Sequence, residues 1–316
     1  MDELQDLLDD GTRFDPHYLP SMNSDHMPMT LCAMKGLGAQ QSSLLAYRSD
    51  YCRILHEIRT QAPIQNWREG IGRSEMYASL FSFFRLEVAS KGIGPTVSEY
   101  LPEFIGSLAM HAFHPIIRLG YAIDFQSQAE TAAALAYLIS SHREVPVNTE
   151  NRIDLSQYLQ QQVAAGPVRF ESQRFPGGIR ELLDGDRYPT GIALDLNECS
   201  AVALDIYRST RNFFALHLVT STHAIRICSE FVDEKLALAA LTGSLLAAHQ
   251  VVGSPAFDRD APLPIPDRLD REHAYKYAWA CLSEYRFYGD ELYVDEIRGF
   301  REQGLIPPWC ARKEIH

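Results

Sequence analysis

Apolar residues recur along most of this chain at helical spacing, and strand-like alternation is nearly absent. Over 29–37 the spacing of Leu31, Met34 and Leu37 predicts a helix that stops at Gly38, a residue suited to closing one. Leu44, Leu45, Tyr51, Ile54, Leu55 and Ile58 carry the same period over 44–58. Helices are expected over 77–88 and 103–113, separated by the breaker Gly92-Ile93-Gly94-Pro95, and 115–123 continues with a kink at Pro115. The alanine-rich stretch 131–140 and the segments 198–211, 212–228, 235–249 and 271–285 complete the set. Three stretches lack the period. The polar, proline-containing 145–151 reads as an internal linker, and 166–191, with Phe175-Pro176-Gly177-Gly178, as a lid or surface loop. The third, 254–267, carries four prolines and reads as a long irregular crossing. No internal repeat is present. The pattern predicts an all-α fold: a single multi-helix body over 1–316, in which the natural place for a central site is between helices.

Composition narrows the partners. A chain of 316 residues with 46% hydrophobic content can bury a sizeable core in one body or two. A formal net charge of -12, with no Lys/Arg stripe, excludes nucleic acid or an anionic membrane as the main partner. The longest apolar run, 236–252, is interrupted by Thr242, Gly243, Ser244 and His249, too mixed for a bilayer span. The acidic start Met1-Asp2-Glu3 is unlike a signal peptide, and six cysteines without a C-x-x-C pair read as reduced thiols in a cytoplasm.

Candidate chemistry lies in the histidines. His26, His114, His223 and His273 sit in four separated apolar stretches, where each ring needs partners for its nitrogens. Singly, each fits a buried structural histidine. A single metal ion would satisfy all four. His111 and His114 are neighbours on one helix face, with Tyr121 two turns on as a source of a substrate or supporting hydrogen bond. His217 and His223 are six apart and cannot closely share a face. Arg226 stands one turn from His223, a costly neighbour for a metal ligand unless an anion intervenes. Lys276 stands one turn from His273. Desolvation there would favour the neutral amine, which can take up CO2 as a carbamate, whereas an exposed lysine would reach to water. Familiar motifs are absent: His56-Glu57 meets Thr60 where H-E-x-x-H needs histidine, and there is no G-x-S-x-G or phosphate-binding glycine loop. His142-Arg143-Glu144 has the H-x-E shape of a facial-triad fragment but fits a helix C-terminus better.

Four motifs in combination resemble the questin oxidase-like proteins of fungal and bacterial secondary metabolism, over about residues 14 to 300. They are Asp25-His26-Met27-Pro28-Met29, His114-Pro115-Ile116-Ile117-Arg118-Leu119-Gly120-Tyr121, Thr222-His223-Ala224-Ile225-Arg226 and Glu272-His273-Ala274-Tyr275-Lys276. The resemblance implies an all-helical, non-haem iron oxygenase that uses O2 to oxidise or open a ring of an aromatic, anthraquinone-type polyketide. It implies Fe(II) held by His26, His114, His223 and His273, with Lys276 carrying a CO2-derived carbamate as an oxygen ligand. Five ligands leave one position for O2, or one ligand must leave. Arg118 or Arg226 is then the cation for a phenolate, and a need for NADPH or another reductant stays open, as does a homodimer. Asp25 stands where the family usually has Asn, and Arg118 where many members have a further histidine. The chain is also shorter than the fungal enzymes. Two rival classes share the same residues: a helical zinc hydrolase or isomerase, and a non-catalytic ligand-binding protein with structural histidines.

Overall fold

The computed structural model describes residues 3–19, 21–258, 269–312 and 315. Among the described residues there are fourteen α-helices joined by short 3-10 turns, and the strands are one antiparallel pair, His17–Tyr18 with Asn23–Ser24. The expected all-α class is what the chain adopts. Several helices begin where the sequence supplies a capping side chain. Ser127, Asp154, Asp195, Asn212, Asp233, Asp270 and Asp290 each accept a backbone N–H from the first turn they precede.

The chain forms two compact units, each drawn from separated stretches of sequence. The first comprises Met1–Val97, Ile117–Ser141 and Leu269–His316, the second Ser98–Ile116 and His142–Arg268. The proline-containing 145–151 therefore lies inside the second unit. Of the crossing expected over 254–267, residues 259–267 lie outside the described residues.

In the first unit, α2 (Met27–Gly36) packs against α1 (Glu3–Gly11), α3 (Gln41–Tyr51) and α13 (Arg271–Tyr288). Alongside, α4 (Tyr77–Lys91) packs on α7 (Gln128–Ser140), and α13 packs on α14 (Glu291–Glu302). The bare backbone of Gly36 lets the Trp279 ring lie directly on α2, where a Cβ would collide with it. Because an indole has no flexible end to withdraw, Gly36→Ala should destabilise the protein by about 1–3 kcal/mol despite its better helix propensity. Denaturant titration of that variant checks this, and a gain in stability would contradict the packing. Polar pins fix α13 from several sides. Tyr277 donates to Glu296 at 2.8 Å, the Trp279 indole N–H to Asp124 at 3.1 Å, and the Tyr121 hydroxyl to the Lys276 carbonyl at 2.9 Å.

In the second unit, α12 (Glu234–Val251) is the central element, contacting α8 (Leu155–Ala165), α9 (Phe175–Asp184), α10 (Leu196–Thr210) and α11 (Phe213–Cys228). Its residues from Ala237 to His249 are all buried, which explains why its apolar run shows no clear face. The polar residues that break the run are each satisfied internally. Thr242 accepts from the Ala193 N–H at 3.1 Å, Ser244 bonds Tyr188 at 3.1 Å, and His249 bonds Gln162 at 2.7 Å and the Pro255 carbonyl at 3.0 Å.

The elements depart from the sequence expectation in four places. The helix expected to run to Ile58 ends at Tyr51. After a 3-10 turn its chain becomes extended, and residues 56–58 pair with 13–15 through Asp15 N–H to His56 O and Ile58 N–H to Arg13 O, both 2.8 Å. The helix expected over 103–113 lies earlier, as α5 (Ile93–Phe104), so Gly92 alone is the breaker. The region expected to be a lid holds α9, with Pro176 in its first turn. There Gly178 is a packing residue, since a Cβ would meet Val251 at 2.8 Å. Finally, Pro115 does not kink a continuing helix. Left-handed backbone at His111, Ala112 and Phe113 (φ 49°, 52° and 66°) breaks the chain, and α6 (His114–Asp124) opens afresh at His114.

Candidate metal centre

In the first unit, His26 is the residue before α2, its backbone N–H donating to the Tyr51 hydroxyl at 3.1 Å. His273 is in the first turn of α13, and the two buried imidazoles meet edge to face with ring centroids 4.5 Å apart. The Asp270 carboxylate Oδ1 takes both the backbone N–H of His273, at 2.9 Å, and its ring Nδ1, at 2.5 Å. Nδ1 facing a carboxylate is an N–H, so the lone pair of this neutral ring is on Nε2. Burial, then the Lys276 charge, hold His273 down to about 4, outweighing Asp270.

One helical turn further, Lys276 is 1% exposed, and its Nζ has no hydrogen-bond partner among the described residues. Burial lowers its ammonium to about 8 against the opposing pull of Asp270, Glu272 and Asp25. A buried amine with no acceptor is costly as a cation, and the neutral form is the one that reacts with CO2. Asp25, beside His26, bonds the Met27 N–H at 2.8 Å through Oδ1, while Oδ2 is buried without a partner among the described residues. Burial raises its carboxyl to about 7.

In the second unit, His114 follows the three left-handed residues and turns its Nδ1 onto the His111 carbonyl at 2.6 Å. Consecutive left-handed backbone outside glycine is costly and gathers at functional sites. Its ring lies 5.0 Å from that of His217, whose Nδ1 faces the Phe213 carbonyl at 3.1 Å. Both Nδ1 atoms are donors by this geometry, which puts the lone pairs on Nε2. His223, farther along α11, is fully buried, and burial with Arg226 nearby holds it neutral, down to about 3. Six residues on a helix turn the direction by about 240° beyond a full revolution, so His217 and His223 leave α11 on different sides.

The structure thus pairs His26 with His273 in one unit and His114 with His217 in the other. His217 was not among the ligands implied by motif, and its signal in sequence, a histidine one turn past the Asn212 cap, was no stronger than that of any core histidine. Arg118 and Tyr121 both make their hydrogen bonds inside the first unit. Arg118, 1% exposed, forks onto Glu130 through Nε at 2.7 Å and Nη2 at 3.1 Å, so the carboxylate holds the place foreseen for a phenolate. Tyr121 is buried with its hydroxyl on the Lys276 carbonyl. Arg226 is half-buried one turn from His223. His142 bonds Ser107 at 3.0 Å and packs on Phe104, the structural role its position at the end of α7 suggested.

Neutral buried histidines have a cost in acid. His17, His223 and His273 are held near 4, 3 and 4 from an ordinary 6.5, and burial lowers His142 and His249 as well. Asp25 opposes, held near 7 from 3.8. Between about pH 6.5 and 4.5 the unfolded chain protonates histidines that the native protein keeps neutral, and the native protein keeps one proton on Asp25 that the unfolded chain releases. The unfolded state therefore binds more protons, and stability falls as pH falls, by about 1.4 kcal/mol per pH unit for each net proton. Denaturation of the metal-free protein at pH 7 and pH 5 checks this; equal or greater stability at pH 5 would contradict it.

These side chains suit a divalent transition metal: buried imidazoles, of which His114, His217 and His273 are anchored through Nδ1, a carboxylate behind one of them, and a buried amine able to become an oxygen donor. Comparison with known proteins covers His26 and His114 of this set. The profile of the family described as questin oxidase-like matches residues 23–181. The questin oxidase of Aspergillus terreus is 23% identical over 272 residues, 68% of this chain and 60% of that protein. An oxidoreductase of Aspergillus parasiticus, AflY, is 34% identical over 77 residues, 22% of this chain and 16% of the relative. A Baeyer-Villiger monooxygenase of a Cryptosporiopsis species is 35% identical over 77 residues, 22% of this chain and 17% of the relative. The chain therefore spans less than two thirds of the length of each.

Proposed function

Because the chain belongs to the questin oxidase-like family, we propose that it is an oxidoreductase, a non-haem iron oxygenase that uses O2 to oxidise or cleave a ring of an aromatic, anthraquinone-type substrate. The observation that carries this reading is the Lys276 amine, buried and without a hydrogen-bond partner among the described residues, one turn from a histidine whose Nδ1 is held by a carboxylate. A structural histidine pair would not require such a lysine. The relatives' names supply the reaction class, since one is a questin oxidase and another a Baeyer-Villiger monooxygenase.

In this reading the residues that the family resemblance implies, His26, His114, His223, His273 and Lys276, serve one Fe(II), with His217 beside His114 as a further candidate. Bound ferrous iron would supply the redox-active centre and the open position that O2 activation needs, and each monooxygenation would take its two further electrons from the substrate or from a reductant such as NADPH. The protein's own part is to hold its donors neutral and fixed. Anchored Nδ1 atoms set the tautomers of His114 and His273, and burial keeps His223 and His273 deprotonated at physiological pH. The Lys276 ammonium first loses a proton, and the neutral amine then adds to CO2, forming an N–C bond and releasing a second, so a cation becomes a carboxylate-like anion that would offset metal charge. Tyr121 holds the Lys276 backbone, and Arg226 is the cation available to a phenolate, since Arg118 is paired with Glu130.

Incubation of the iron-loaded protein with anthraquinones under 18O2, followed by mass spectrometry, tests the activity. The reading predicts a product heavier by one or two 18O atoms. Unlabelled hydrolysis products would instead favour a zinc hydrolase using the same residues.

A further inference from the structure

We infer that Asp270 is the positioning residue for His273, fixing which ring nitrogen faces the metal and aiming the ring by accepting its Nδ1–H; this rests on the iron-site reading above. Asp270 Oδ1 accepts the His273 backbone N–H at 2.9 Å and the His273 Nδ1–H at 2.5 Å. The first bond is an ordinary helix cap and would account for an aspartate by itself. The second is not required by capping. Asp233 caps α12 by accepting the Leu236 N–H at 3.0 Å, and Asp154 caps α8 at 2.8 Å through the Gln157 N–H, and the residues they hold carry no ring. At α13 the cap and the ring are held by the same carboxylate.

The consequence is chemical. A neutral imidazole has one N–H and one lone pair, and a carboxylate opposite Nδ1 keeps the proton there. Nε2 then carries the lone pair, the ring cannot flip without breaking the bond, and the nearby negative charge raises the basicity of Nε2. His273 is 1% exposed and lies edge to face against His26, so its aim is set jointly by that ring and by Asp270. The side chain of Asp270 is itself about half exposed, so it can act on the ring from the solvent side without adding a buried charge to the core.

The test separates cap from ring. Asp270→Ser keeps a capping oxygen but is too short to reach Nδ1, and Asp270→Asn keeps the one oxygen that accepts both bonds, without the charge. Asp233→Ser, a cap with no ring to hold, serves as the comparison. Fe(II) affinity is read by chelator competition under anaerobic conditions, alongside thermal unfolding of the metal-free proteins. Asp270→Ser should bind iron about 10–100-fold more weakly than wild type, with Asp270→Asn recovering part of that loss and Asp233→Ser unchanged. An Asp270→Ser protein within twofold of wild type would overturn the inference. So would an Asp270→Asn protein no better than the serine variant, or an equal loss in Asp233→Ser. Failure of wild type to bind iron would instead overturn the iron-site reading, so the two failures are distinct.

Discussion

Lys276→Met should bind Fe(II) on the order of 100-fold or more weakly than wild type, while the metal-free variant is at least as stable. The two effects share one cause. Lys276 is buried, and its Nζ has no hydrogen-bond partner among the described residues, so as an ammonium it is a net cost to the folded state. Methionine fills nearly the same volume without the polar atom and removes that cost. It also removes the amine from which the carbamate forms, and with it the only anionic ligand in the proposed set. Lys276→Arg should not restore binding, because a guanidinium stays charged and cannot take up CO2. Added bicarbonate should speed reconstitution of stripped wild type and leave both variants unaffected. Chelator competition and thermal unfolding read the two effects separately. Full metal content and turnover in Lys276→Met would reduce the residue to a structural one and remove the most distinctive member of the site.

Glu130→Ala should cost about 3–5 kcal/mol of stability, the largest loss expected from a single change outside the site. Arg118 and Glu130 have side chains 1% and 2% exposed, and they pair bidentately inside the first unit. Removing the carboxylate strands a guanidinium that cannot deprotonate. Arg118→Met combined with Glu130→Leu removes both charges and should recover most of the loss, since a buried ion pair offers little over well-packed apolar side chains. Denaturant titrations of the single and double variants close the cycle. A single variant within 1 kcal/mol of wild type would mean water reaches the guanidinium.

Much of this was legible in the sequence because helical periodicity survives wherever one face is buried. The all-α class followed from it, as did α7, α11 and α13, whose starts fall at Ser127, Asn212 and Asp270. What periodicity cannot see are breaks without a breaker. His111, Ala112 and Phe113 are ordinary helix residues by type, yet all three adopt left-handed backbone, and α6 begins where a continuation was expected. Phe175-Pro176-Gly177-Gly178 misled in the opposite sense, because close packing against Val251 selects glycine inside a helix as readily as a loop does. At the site, His26, His114, His223, His273 and Lys276 could be singled out by motif, and all five are buried. Their partners could not. Asp270 looks like any helix cap, His217 like any core histidine, and the engagement of Arg118 by Glu130 depends on packing between α6 and α7 that no local pattern announces.

One iron held through histidines and a modified lysine is the proposed centre of this chain. Elemental analysis of purified protein after anaerobic Fe(II) loading and desalting tests it most directly. The account predicts about one iron per chain in wild type and almost none in His273→Ala or His114→Ala. Wild-type protein without a stoichiometric transition metal, or with iron content unchanged by either substitution, would contradict it.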